Sequence, residues 1–302
     1  MKILIAHDGS SGVDEAISDL KRAGLPRDAD ALLINVKELW LPHFASKNEI
    51  NEFVTPSNSL AAQTEPARIA PTTVATAEAV DVLHSAAERL HSMFPDWKTE
   101  TLELSGSAAR EILQQAKDWG ADIVILGANG NTGFKQHILG SVAQKIANEA
   151  DCSVRIVRGE FWKNGSPSRL LIALDGTASA MAAVEEVKHR MWTMGSEVRL
   201  VIVQDNLQND FASICEYVED AKKRLIAADL SVSELIENGD PKQLIVSAAE
   251  EWGADCIFLG ANEHGTSFEK LLLGGVSTAV VSRAHCTVEI VRKEATGTTQ
   301  DV

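Results

Sequence analysis

Gly127 and Gly130, followed after nine residues by the pair Gly140-Ser141, have the types and spacing to do chemistry. The run 122–126, Asp-Ile-Val-Ile-Leu, ends directly before Gly127 and reads as a strand. A strand that runs into a glycine-rich loop and resumes as a helix at Ser141 offers an anion unobstructed backbone N–H groups and a helix N-terminus. A nucleotide phosphate is the first ligand this arrangement fits.

A second pattern accompanies it. Apolar runs end in Asp8-Gly9-Ser10 and again in Asp175-Gly176-Thr177. Together, these paired Asp-Gly elements and the glycine loop resemble the universal stress protein family, whose nucleotide-binding members carry Gly, two residues, Gly, nine residues, then Gly and Ser or Thr. The match holds at Gly127, Gly130, Gly140 and Ser141. The resemblance implies a sheet of order 3-2-1-4-5, so that the ends of strands one and four, at Asp8 and Gly127, meet at one crevice where the strand order reverses.

The same resemblance implies the roles. Asp8 accepts hydrogen bonds from the nucleoside, Ala6 and Val36 line the adenine slot, and Gly127 and Gly130 let the backbone approach the phosphates. Gly140 and Ser141 hold the terminal phosphates through backbone N–H groups and a hydroxyl, and Val142 adds a further helix N–H. The implied ligand is ATP, with AMP, ADP or a cyclic nucleotide as the other adenine ligands it admits, and with Mg accompanying ATP. Read from the residues alone, Asp8-Gly9-Ser10 also fits a turn with a helix cap, and Gly127 and Gly140 also fit tight strand–helix packing.

The elements that must position these residues occur twice. Trp119-Gly-Ala-Asp122 returns as Trp252-Gly-Ala-Asp255, an offset of 133, whereas Asp8 and Asp175 are 167 apart, so the first half carries 34 more residues. They fall mainly at 41–73, where Pro42, Pro56, Pro66 and Pro71 argue against a regular element and for a flap over the nucleotide or a tether. In the first half, strand-like runs at 3–6, 31–36, 100–104, 123–126 and 154–157 alternate with helical spacing at 13–23, 74–93, 110–119 and 141–150. That order defines a doubly wound five-stranded parallel α/β domain, and the second half repeats it. The expected division is 1–158, a linker 159–168, a second domain 169–292 and a polar tail 293–302.

The second half departs from the loop pattern. Gly260-Ala-Asn-Glu263 puts a carboxylate where the second glycine belongs, and Gly274-Gly275 lacks the hydroxyl. A carboxylate beside a triphosphate repels it, so the expectation is one nucleotide per chain, in the first half.

Composition limits the function classes. A formal net charge of -15 opposes binding to nucleic acid and to anionic membrane surfaces. No apolar run reaches the length of a membrane span, and the expectation is a soluble cytoplasmic protein. Cys152, Cys215, Cys256 and Cys286 form no Cys-x-x-Cys pair and read as buried reduced thiols. The eight histidines lack ligand spacing, and no metal site or catalytic residue is assigned. The function expected is a nucleotide-binding regulatory or stress-protective protein, with a slow ATPase or a nucleotide-independent scaffold as alternatives. Family resemblance also implies dimerisation, which two tandem halves reproduce internally through the fifth strands, leaving a homodimer of whole chains and an unknown protein partner open.

Overall fold

The computed structural model describes residues 1–7, 12–37, 77–128, 139–158, 166–204, 211–261 and 274–292. The 41–73 insertion, most of the 159–168 linker and the 293–302 tail lie outside them.

The first half runs β1 (Lys2–His7), α1 (Gly12–Leu20), β2 (Asp30–Lys37), α2 (Ala77–Met93), β3 (Lys98–Ser105), α3 (Ala108–Trp119), β4 (Ile123–Gly127), α4 (Ser141–Glu149) and β5 (Ser153–Val157). The second runs β6 (Arg169–Leu174), α5 (Ala178–His189), β7 (Glu197–Gln204), α6 (Phe211–Ile226), β8 (Ser231–Asn238), α7 (Pro241–Trp252), β9 (Cys256–Gly260), α8 (Gly275–Arg283) and β10 (Thr287–Val291). Helix α1 stops three residues before the reading from spacing. Arg22 and Ala23 donate to Asp19 and Leu20, three residues back, and the chain leaves through Gly24 at φ +64°.

All ten strands form one sheet of order β3-β2-β1-β4-β5-β10-β9-β6-β7-β8. Each half is parallel in the order 3-2-1-4-5, and the halves join where β5 and β10 pair antiparallel, Ile156 opposite Val288, Arg155 opposite Glu289 and Val154 opposite Ile290. Two edges that would otherwise be open for pairing are thereby closed. The outer strands β3 and β8 are the least buried of the sheet, because each has a neighbour on one side only.

Helices cover both faces. On one, α3, α4, α7 and α8 share a continuous apolar cluster that crosses the seam, with Ile112, Ile146, Ile245 and Val280 packed on Val154, Ile156, Val288 and Ile290. On the other, α1 and α2 cover the first half and α5 and α6 the second as two separate clusters. Charged groups fill the gap between them. Arg155, 1% exposed, donates to Asp19 at 2.5 Å and to Glu289 at 2.8 Å, and Arg190 donates to both oxygens of Glu289. Burial opposes the charged Arg155 guanidinium, but Asp19, Cys256 and Glu289 outweigh it and its pKa is held above the ordinary arginine value.

Beyond the ion pairs, the seam exchanges two helix caps. Arg158, just past β5, donates to Val281 O and Ala284 O at the end of α8, and Arg292, just past β10, donates to Ala147 O at the end of α4. Ser153 and Thr287 occupy equivalent places, bonded to the backbone of Arg292 and Arg158.

The repeated Trp-Gly-Ala-Asp run has a structural cause. Gly120 and Gly253 end α3 and α7 in the left-handed region at φ +70° and +67°, and the next aspartates accept the N–H of the residue opening β1 or β6, Lys2 to Asp122 at 2.6 Å and Arg169 to Asp255 at 2.8 Å. A Cβ on Gly120 would meet nothing within 4 Å, so only its backbone conformation demands glycine. Gly120→Ala is expected to lower stability by about 1 kcal/mol in urea unfolding.

Burial pushes the Cys152 thiol up to about 11 and Cys286 to about 12, and Cys256 higher still. These three stay protonated at neutral pH, and iodoacetamide at pH 7.5 is expected to label them only after denaturation.

Candidate functional site

The chain proceeds outward from β1 to β2 and β3, then returns to the other side of β1 as β4, with Ile3, Leu4 and Ile5 opposite Ile123, Val124 and Ile125. The carboxyl ends of β1 and β4 therefore flank the reversal point of the first half, where an α/β sheet leaves a crevice.

Ala6 lies next to last in β1, buried, and pairs with Ile34 of β2. Val36, two residues further along β2, is partly buried against the same apolar cluster as Ala6, Ala128 and Ala143. Gly127 ends β4 and is partly buried. Gly140 N–H donates to Ala128 O at 2.8 Å. Residues on either side of the loop, separated by more than ten positions, are thus joined at the strand end where α4 begins.

Helix α4 opens at Gly140, φ -65°, with no side-chain cap. Its first intrahelical bond runs from Gln144 N–H to Gly140 O at 2.9 Å, so the N–H groups of Ser141, Val142 and Ala143 precede the helical ladder. Ser141 is exposed and Val142 is partly buried on the cluster holding Ala6. One expectation changes. The family resemblance assigns the Gly140 N–H to a phosphate, yet it is held by Ala128 O, and the donors of α4 start at Ser141. Asp8 and Gly130 lie outside the described residues.

The second half describes the equivalent crevice more fully. Asp175 Oδ1 accepts from Thr177 N–H at 3.0 Å and from its hydroxyl at 2.6 Å, while Thr177 Oγ1 caps α5 by accepting from Ala180 N–H at 3.2 Å. In this half the Asp-Gly-Thr run is thus a turn and a helix cap. Gly260, the counterpart of Gly127, is enforced by packing, since a Cβ there would lie 2.1 Å from Ser179 O and 2.5 Å from Ala180 N at the start of α5. Gly275, the counterpart of Ser141, has room: its Cβ would meet only Lys242 side-chain atoms, at 3.7 Å. Ala261 N–H donates to Val291 O at 3.0 Å as Ala128 N–H does to Val157 O at 3.0 Å, so the two crevice floors are built alike. Glu263 lies outside the described residues.

Among the described residues, no group of three His, Cys, Asp or Glu side chains is placed to hold a metal ion, and no helix is long and apolar enough to cross a membrane.

Two doubly wound halves in one sheet, each ending its fourth strand in a glycine at the reversal point, define a tandem α/β protein. The sequence model of the universal stress protein family matches residues 1–158 and 167–292, and the chain belongs to that family. Universal stress protein A homolog 2 of Coxiella burnetii is 41% identical over 80 residues, 25% of this chain and 53% of that protein. A universal stress protein of Mycobacterium tuberculosis is 24% identical over 187 residues, 57% of this chain and 62% of its own. The chain spans about half the length of the first curated relatives it matches. Among solved structures, a universal stress protein from Archaeoglobus fulgidus superposes with a TM-score of 0.67 at 21% identity over 98% of this chain and 97% of its own, a likeness of fold.

Proposed function

We propose that this chain binds one adenine nucleotide, ATP, in the crevice of its first domain and acts as a regulatory or stress-protective nucleotide-binding protein. The observation that carries this reading is the Gly140 N–H to Ala128 O bond at 2.8 Å, which seats the start of α4, whose N-cap is a glycine with no side chain, against the end of β4. That arrangement presents the Ser141 hydroxyl and the N–H groups of Ser141, Val142 and Ala143 to an anion at the strand ends. Ala6 and Val36 supply the apolar wall for adenine, Asp8 the acceptor for the nucleoside, and Gly127 and Gly130 the room for the phosphates. Mg accompanies ATP as its phosphate counter-ion. The domains are 1–158 and 169–292, joined by 159–168, and they act as an internal pseudo-dimer through β5 and β10.

Mass spectrometry of the small molecules released on denaturing the purified protein tests this directly. The expected result is an adenine nucleotide at no more than one per chain. A released ligand of another chemical class contradicts the reading. Ser141→Ala is expected to weaken ATP binding by about 0.5–1.5 kcal/mol in calorimetry, because it removes one hydroxyl and leaves the backbone donors.

A further inference from the structure

The local symmetry of the seam makes its charges informative. Two positions are equivalent in the repeat when they are 134 apart in the fifth strands, so Arg155 and Glu289 are counterparts, as are Val154 with Val288 and Ile156 with Ile290. The observed register pairs Val154 with Ile290, Ile156 with Val288, and Arg155 with Glu289. The pseudo-two-fold axis therefore passes between Arg155 and Glu289, and the position facing its own counterpart is the one where the halves carry opposite charge. The residues on either side of it along the strands, Val154, Ile156, Val288 and Ile290, are apolar, and the polar Ser153 and Thr287 stand at the strand starts.

The surrounding charges extend the pattern. Reading across the seam, Asp19 of α1, Arg155, Glu289 and Arg190 after α5 alternate in sign, and Arg190 continues to Glu186 at 3.0 Å. Arg155 and Glu289 are 1% and 0% exposed, so solvent screens their contact little. Asp19 also accepts from Thr287 Oγ1 at 3.3 Å and Arg190 donates to Ala23 O at 2.9 Å, so both flanking charges reach across the seam as well. Asp19–Arg155 lies within the first half and Glu289–Arg190 within the second. The contact between the two central charges is made only by joining the halves.

We propose that the β5–β10 seam is a recognition surface selective for the unlike half: it accepts a fifth strand bearing the opposite charge at its central position and rejects a copy of itself. Two first halves joined in the same register set Arg155 against Arg155, and two second halves set Glu289 against Glu289, each pair buried and each side chain paired only with the Asp19 or Arg190 of its own half. Like charges so placed repel each other even though each keeps the counter-ion of its own half, Asp19 or Arg190, whereas the unlike pairing joins a cation to an anion at 2.8 Å. Apolar pairing at Val154, Ile156, Val288 and Ile290 holds the strands together but is the same in all three combinations, so it does not discriminate. The seam thus closes the chain on itself, and any exchange of halves between chains is restricted to first with second. This inference is independent of the nucleotide site.

The test uses the full chain, with a protease recognition sequence inserted between Gly159 and Gly165, folded intact, cut, and allowed to re-equilibrate before native mass spectrometry. Selectivity gives complexes of one first half with one second half, like-half dimers forming fewer than about one in twenty, against about half of all dimers for a seam that does not discriminate. Like-half dimers at that statistical share, or lone halves as the main species, overturn the proposal. The cut Arg155→Met/Glu289→Met protein is expected to raise like-half dimers toward about half, and an unchanged distribution also overturns it. Thermal unfolding of the intact chain gives a separate reading if cut material aggregates. Arg155→Glu is expected to lower the midpoint at least about twice as far as Arg155→Met, because it adds repulsion to a lost contact. Equal losses overturn the proposal.

Discussion

Glu289→Ala is expected to destabilise the protein by about 3–5 kcal/mol, among the largest effects of any single substitution in this chain. Glu289 is the anion shared by two buried guanidiniums, accepting from Arg155 at 2.8 Å and from Arg190 through both oxygens. Removing it leaves two cations facing each other where water cannot reach them, with Asp19 and Glu186 as the remaining counter-charges on the outer sides. The loss is that of uncompensated charge, which exceeds what the pair contributes relative to a well-packed apolar seam. Urea unfolding followed by circular dichroism measures it as a fall in the midpoint. A loss below about 1 kcal/mol, the scale of an exposed ion pair, contradicts this description of the seam.

Gly260→Ala ranks next, at about 3 kcal/mol or somewhat more, the upper end for overpacking. Its Cβ would fall 2.1 Å from Ser179 O, 2.2 Å from the same carbonyl carbon and 2.5 Å from Ala180 N, all backbone atoms at the start of α5, so no rotamer change relieves the clash. Gly275→Ser provides the comparison within the same crevice. Its Cβ would meet only the flexible end of Lys242 at 3.7 Å, and its stability is expected to stay within about 0.5 kcal/mol of the parent. The contrast separates a glycine that packing requires from one that the crevice merely tolerates. Equal effects of the two substitutions in the same unfolding measurement contradict it.

The alternation of short apolar runs with helical spacing is enough to read the α/β class and both halves, because buried parallel strands and amphipathic helices leave different periodicities. Strand order is not contained in that alternation; 3-2-1-4-5 came with the resemblance carried by Gly127, Gly130, Gly140 and Ser141. Trp119-Gly-Ala-Asp122 stood out as a repeat, but its role as a left-handed helix end plus an acceptor for the first strand needed three-dimensional proximity between Asp122 and Lys2. Arg155 and Glu289 escaped the reading because one charged residue inside a short apolar strand looks like the solvent side of an alternating pattern. A signal was present: within two strands otherwise alike, the counterparts at an offset of 134 carry opposite charges, and the corresponding helix positions Asp19 and Glu186 are both acidic. Of the residues proposed for the nucleotide, Ala6, Val36, Gly127, Gly140, Ser141 and Val142 lie around the end of β4 and the start of α4, or on the apolar cluster beside them. The Gly140 N–H differs from its expected use because spacing shows where a loop starts and ends, not which carbonyl closes it.

The most direct test of the central claim is calorimetric titration of the full chain with ATP. The account predicts a single site per chain, and at least a tenfold loss of affinity, about 1.4 kcal/mol, when Gly130→Glu imposes on the first loop the carboxylate that Glu263 brings to the second. Two equivalent sites, no binding, or affinity that survives Gly130→Glu within about twofold would contradict it.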